Sequence, residues 1–145
     1  MIRVALLALA LVTGAARVDA DWAGNNEVPL DGGGSAWLVH AMIDGTRGTF
    51  LLDTGASVCV VSPATAARVG VRNGTERIEL HTANGTFQAP LVTLRTVEIG
   101  ATRARDVQAV VHQAVPPPLD GIIGLSFLNR FSYAIDPRRR MLRLH

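Results

Sequence analysis

The stretch FLLDTGASVCVV, Phe50 to Val61, sets a carboxylate between two apolar runs. Phe50, Leu51 and Leu52 read as the end of one buried strand, and Val58 to Val61 as another. An ionised aspartate in such a place costs free energy unless hydrogen bonds compensate it. The residues after Asp53 offer that compensation. Gly55 permits a tight turn and a close backbone approach. Thr54 and Ser57 bring hydroxyls, and the turn exposes backbone N–H groups. Asp-Thr-Gly by itself is most often an ordinary turn, so its surroundings decide the reading.

Upstream, EVPL (Glu27–Leu30) reads as a candidate edge strand in a polar, Gly-rich segment. SAWLVHAMI (Ser35–Ile43) and TFLLD form a hairpin around DGTRG (Asp44–Gly48), because Asp-Gly is a strong turn signal. Downstream, SPATAARVG (Ser62–Gly70) carries a Ser cap, a Pro at the first helical position and a Gly stop, and predicts one short helix. ERIELHTANGTFQAPLVTL (Glu76–Leu94) has two extended arms around an Asn84-Gly85 turn. TVEIG and RDVQAVVH read as further strands, QAVPPPL as a stiff loop, and Gly124 to about Asn129 as a second short helix. FSYAID, PRRR and MLRLH close the chain as a hairpin. Many short strands, one or two short helices and frequent turns predict a mostly β domain, either a barrel or a folded sheet.

The chain has 145 residues, suiting one domain, and 48% of them are hydrophobic, enough for a core. The net charge is +2 and every basic residue is Arg. PRRRM (Pro137–Met141) is the only basic cluster and reads as a solvated turn, so no nucleic-acid partner is expected. Residues 1–20 differ from the rest. A short positive start, the apolar Val4–Ala16 and the small-residue end Val18–Ala20 match a secretory signal, with an uncleaved membrane anchor as the alternative. The expected division is residues 1–20 as signal or anchor, 21–34 as an N-terminal segment and 35–145 as the domain. The protein is then exported, to the periplasm or beyond, and meets a membrane only if the signal stays attached. Cys59 is the only cysteine, so no intrachain disulfide forms, and it reads as a buried apolar residue. His40, His81, His112 and His145 lack metal-ligand spacing, so neither metal nor cofactor is expected. The Asn-Gly-Thr sequences at Asn73 and Asn84 read as turns.

FLLDTGAS followed by VCVV resembles the active-site loop of aspartic proteases. Two more resemblances follow in the same chain order. TANG (Thr82, Ala83, Asn84, Gly85) looks like the flap hairpin of small retropepsin-like proteases. LDGIIGLSFL (Leu119–Leu128) looks like the apolar-apolar-Gly segment and helix that close that fold, and FLNRFSYAID continues the match. The similarity runs from about Val28 to the end and is to exported, single-domain bacterial members of the retropepsin-like group. It implies a retropepsin-like closed barrel or folded sheet, half of a pepsin-type bilobal enzyme. It also implies Asp53 as the catalytic carboxylate, acting on a protein or peptide substrate.

Aspartic protease chemistry uses two carboxylates that share a proton, one as general base on a water and one as acid to the scissile carbonyl. This chain has one Asp-Thr-Gly. The other Asp-Gly sites, Asp31, Asp44 and Asp120, lack the apolar-Asp-Thr/Ser-Gly frame. Asp120, before GIIG, reads as a surface turn residue. The chain is too short for two fused lobes, so an active protease requires two copies that each donate Asp53, and a homodimer is expected. The resemblance further implies that Thr54 bonds across the two-fold, Gly55 presents its backbone to substrate and Ala56 lines a pocket. It implies too that Asn84 and Gly85 sit at or near the flap tip, and that Ile122, Ile123 and Gly124 support the loop from below.

Two positions depart from the retroviral pattern. Ser57 stands where an Asp is frequent and Leu125 where an Arg is frequent. Those charges pair near the dimer interface, and losing both leaves neither uncompensated. Activity is compatible with that change; a retroviral-style interface is what it puts in doubt. The alternative from another class is a retropepsin-fold peptide-binding or dimerisation module without proteolysis. The intact Asp-Thr-Gly-Ala favours the enzyme.

Overall fold

The computed structural model describes residues 26–72 and 74–145. The expected signal and Asn73 lie outside them. In chain order the elements begin with β1 (Asn26–Pro29), β2 (Asp31–Gly33), β3 (Ala36–Ile43), β4 (Thr46–Leu52), β5 (Cys59–Val61) and α1 (Pro63–Val69). They continue with β6 (Arg77–Thr82), β7 (Gly85–Ile99), β8 (Thr102–Val111), β9 (Gly121–Ile123), α2 (Leu125–Leu128), β10 (Tyr133–Asp136) and β11 (Met141–Leu144).

Local sequence explains most of these. β3 and β4 pair antiparallel from Trp37↔Leu52 to Ile43↔Thr46. The turn between them puts Asp44 at φ 47° and Gly45 at φ 82°, as a two-residue hairpin requires. Asp44 also anchors that tip, since its Oδ1 accepts the Thr96 N–H at 2.8 Å. α1 starts where Ser62 Oγ accepts the Thr65 N–H at 3.1 Å and stops at Gly70, which takes φ 72°.

β7 is one strand of 15 residues where the sequence suggested two. The sequence reading parts LVTL from TVEIG at Arg95, yet both stretches pair with β8. Pro90 sits where β7 changes partner. Gly85–Pro90 pairs with β6, and Leu91–Ile99 pairs with β8. The strand therefore runs from the β6–β7 hairpin into its pairing with β8 without a break.

The strands form an eight-stranded sheet in the order β2-β3-β4-β9-β5-β8-β7-β6 and a three-stranded sheet β1-β11-β10. β3 also meets β7, through Met42↔Glu98 and Ile43↔Val97. That corner contact folds the sheet back on itself, and the architecture is a folded sheet, not the closed barrel that was the other expectation. EVPL is an edge strand as expected, paired with β11.

Two apolar clusters fill the fold. The larger contains Val39, Phe50, Leu94, Ile99, Phe127 and Leu142. The smaller contains Ala56, Val58, Val60, Leu80, Val110 and Ile122. Central strands serve both. Cys59 and Val61 of β5 face the larger cluster and Val60 the smaller, and in β9 Ile123 and Ile122 divide in the same way. Strands buried on both faces read as unbroken apolar runs, which is why VCVV and GII show no alternation. Among the described residues, no helix is long and apolar enough to cross a membrane.

Candidate active site

β9 lies between β4 and β5. It runs parallel to β4 (Phe50↔Gly121 to Leu52↔Ile123) and antiparallel to β5 (Val60↔Ile122, Val61↔Gly121). The loop from Asp53 to Val58 must therefore cross the C-terminal end of β9. It is bonded there at each step. The Asp53 N–H donates to the Ile123 carbonyl at 3.0 Å, and the Leu125 N–H donates to the Ala56 carbonyl at 2.8 Å. Within the loop the Ala56 N–H reaches the Asp53 carbonyl at 3.3 Å, and the Gly55 N–H donates to Asp53 Oδ1 at 2.8 Å. That last bond is the compensation the carboxylate needs, and an Asp two residues before a Gly is suited to make it.

Gly124 passes directly beneath. A Cβ there would stand 2.6 Å from the Val58 carbonyl oxygen and 2.7 Å from that of Ala56. Only a glycine lets the chain approach so closely. The crossing also sorts the loop by exposure. Ala56 is buried, Asp53 and Ser57 are half-buried, and Thr54 and Gly55 are exposed. The carboxylate thus sits at the surface of one chain, on a loop fixed by its backbone.

The β6–β7 hairpin, which holds the expected flap residues, turns one residue before an Asn84-Gly85 centre. Thr82 pairs with Gly85, so the turn residues are Ala83 and Asn84, and Gly85 begins the strand at φ 122°. An Asn-Gly pair at the turn centre would need positive φ at Asn84, which it does not have. Thr82 stabilises the observed turn: its Oγ1 accepts the Asn84 N–H at 3.2 Å and donates to the Gly85 carbonyl at 3.0 Å.

Two cavities lie against the β6–β7 hairpin, and one of them reaches the loop at Ala56. One of about 20 Å³ is lined by Ala56, Leu80, Phe87, His112 and Ile122 among others. The second, of about 280 Å³, is lined by Thr82, Asn84, Phe87, His112, Gln113 and Ala114 among others. Phe87 and His112 are stacked, with centroids 3.9 Å apart and rings at 21°. No local signal announces this pair, since 25 residues separate Phe87 and His112 and the pairing of β7 with β8 brings them together. A further cavity, of about 360 Å³, is lined by residues such as Asp31, His40, Arg47 and Glu98, with none from the loop or the β6–β7 hairpin.

Ser126 also escaped the sequence reading. Its hydroxyl accepts the Cys59 N–H at 2.9 Å and donates to the Gln108 carbonyl at 2.7 Å, tying β5 to β8 beside the loop. Cys59 is buried, and burial pushes its thiol pKa up.

Asp120 is not a surface turn residue. Its side chain is 15% exposed and accepts from the Thr49 N–H (2.9 Å), Thr65 Oγ1 (2.8 Å) and Arg68 (2.7 Å). Its own backbone bonds the Thr49 carbonyl and the Ser62 N–H, each at 2.8 Å. It brackets β4 to α1 ahead of β9. Burial alone would raise its pKa, but the bonds from Arg68, Thr49 and Thr65 outweigh it and hold the carboxyl below its usual range. Among the described residues, no three His, Cys, Asp or Glu side chains cluster as metal ligands.

Residues 39–130 match the family described as "gag-polyprotein putative aspartyl protease". The chain belongs to the retropepsin-like aspartic protease family. This retropepsin-like chain is 32% identical over 123 residues to a Sinorhizobium sp. protein described as "Uncharacterized protein in cobV 5'region". The match covers 82% of the chain and 52% of that protein, so the chain spans about half the length of its curated relative. The fold resembles the crystal structure of a retropepsin-like aspartic protease from Rickettsia conorii, with a TM-score of 0.60 and 23% identity, over 83% of this chain and 89% of that one. That likeness concerns the fold.

Proposed function

We propose that this chain is an exported aspartic endopeptidase whose catalytic pair is completed by a second copy. The observation that carries the reading is Asp53 itself: a half-exposed carboxylate on a loop pinned across β9, with a single Asp-Thr-Gly in the chain. One such carboxylate supplies half of the chemistry. In the pair, one Asp53 takes a proton from a water while the other, protonated, donates to the scissile carbonyl oxygen. The water oxygen bonds to the carbonyl carbon, and the C–N bond breaks as the leaving nitrogen gains a proton. Two adjacent carboxylates do not both ionise cheaply, so they titrate as a pair and work best at mildly acidic pH.

The neighbouring residues take supporting parts. The exposed Thr54 hydroxyl bonds the partner loop across the two-fold, and Gly55 offers its backbone to the peptide. The flap closes over an extended peptide and excludes water. The cavity of about 280 Å³ beside the hairpin receives a substrate side chain, and the apolar pocket at Ala56 borders it across Phe87 and His112. The test is cleavage of a denatured protein by the mature chain. Asp53→Asn should abolish cleavage while fold and dimer persist. Equal cleavage by wild type and variant would overturn the assignment. Peptide binding without cleavage by wild type would favour a binding module instead.

A further inference from the structure

We propose that His112 sets specificity in the cleft, its open ring nitrogens holding an acidic side chain of the peptide substrate. The inference rests on the reading that the cleft under the flap receives a peptide.

Three observations carry it. First, the ring is placed by stacking on Phe87 at 3.9 Å, so its position does not depend on a hydrogen bond. Second, its nitrogens are open. Among the described residues, none hydrogen-bonds either one, and no buried side-chain nitrogen lacks a partner. His40 and His81 differ in this respect. His40 bonds Asp31 and Thr49, and His81 bonds Glu79 and Thr86. Third, His112 lines both cavities, joining the flap side to the Ala56 side.

The surroundings supply no countercharge. The lining residues from β6 (Leu80, Thr82), β7 (Phe87), β9 (Ile122) and the segment after β8 (Gln113, Ala114) do not ionise. Glu79 and His81 flank Leu80 on β6, point to the opposite face and pair with each other at 3.0 Å. Asp53, at the head of the loop carrying Ala56, is committed to the proposed catalytic pair. Burial pulls the His112 pKa below the ordinary histidine range.

A substrate carboxylate would provide the missing partner. It would raise the ring's pKa, and by linkage it would bind more tightly as pH falls through the ring's titration. The preference would end at about pH 4, where a glutamate side chain itself takes up a proton.

The probe is a set of peptide libraries with Glu or Gln fixed at each position in turn. In Asp53→Asn protein, which would bind without cutting, NMR follows the His112 ring across its titration. The Glu library should raise the ring's midpoint and the Gln library should not. In wild type, the Glu-to-Gln ratio of kcat/KM should rise about tenfold as pH falls through that midpoint. His112→Phe keeps a stacked ring without nitrogens, and its ratio should be flat with pH. A midpoint unmoved by Glu peptides, or a Glu preference that survives in His112→Phe, overturns the role of His112. A raised midpoint in a chain that never cleaves supports the acidic site and overturns the protease reading instead.

Discussion

The backbone N–H of Asp53 donates to the carbonyl of Ile123 at 3.0 Å, so the carboxylate's position is set by a strand 70 residues later in the chain. β9 has three residues, yet it bonds β4 on one side and β5 on the other. Anything that displaces it displaces the loop above.

Gly124→Ala tests that coupling. The added Cβ would press on two loop carbonyls at 2.6 and 2.7 Å, and neither belongs to a flexible side chain. The expected cost is about 1–3 kcal/mol, as for other overpacked sites. Urea unfolding should show the loss, and NMR shifts should concentrate at residues 53–58. Unchanged stability would mean that the loop yields freely.

Asp120→Asn tests the bracket between β4 and α1. The variant should lose about 1.5–3 kcal/mol at neutral pH, the range for hydrogen bonds to a charged group. The sign of its pH dependence follows from the lowered pKa. A carboxyl with a folded pKa below its unfolded value stabilises above the unfolded value, and the contribution is lost as pH falls through the folded one. Wild type should therefore weaken on acidification below about pH 5, and the variant's acid limb should be shallower. Parallel limbs in urea melts across pH would contradict the bracket.

Much of this architecture is readable from local sequence, and the unreadable parts share a cause. The β3–β4 hairpin, the capped α1 and the closing hairpin follow from signals within a few residues of one another. The Asp53 loop is recognisable because Gly55 and its apolar flanks are contiguous. Asp120 misled because its partners, Thr49, Thr65 and Arg68, lie more than 50 residues away. Phe87 and His112 meet only through β7–β8 pairing. At the flap, Asn-Gly signalled the correct hairpin, but the Thr82 hydroxyl shifted the turn back by one residue.

Gly85→Ala tests the shifted register. Gly85 has open space around a prospective Cβ, so sterics with neighbours are not the issue. Its φ of 122° is, because residues with a side chain rarely adopt it. The strain should amount to about 1–3 kcal/mol, relieved by loosening the tip. Hydrogen exchange should quicken across residues 82–86 relative to residues 91–99. Equal protection in variant and wild type would contradict the turn described.

In the proposed enzyme, one chain carries half of an active site. Mixing wild type with increasing Asp53→Asn chain, at fixed total concentration and after exchange of subunits, tests it most directly. If two copies of Asp53 form each site, cleavage falls as the square of the wild-type fraction. Activity that falls only in direct proportion to that fraction, as for a site complete within one chain, would contradict the account.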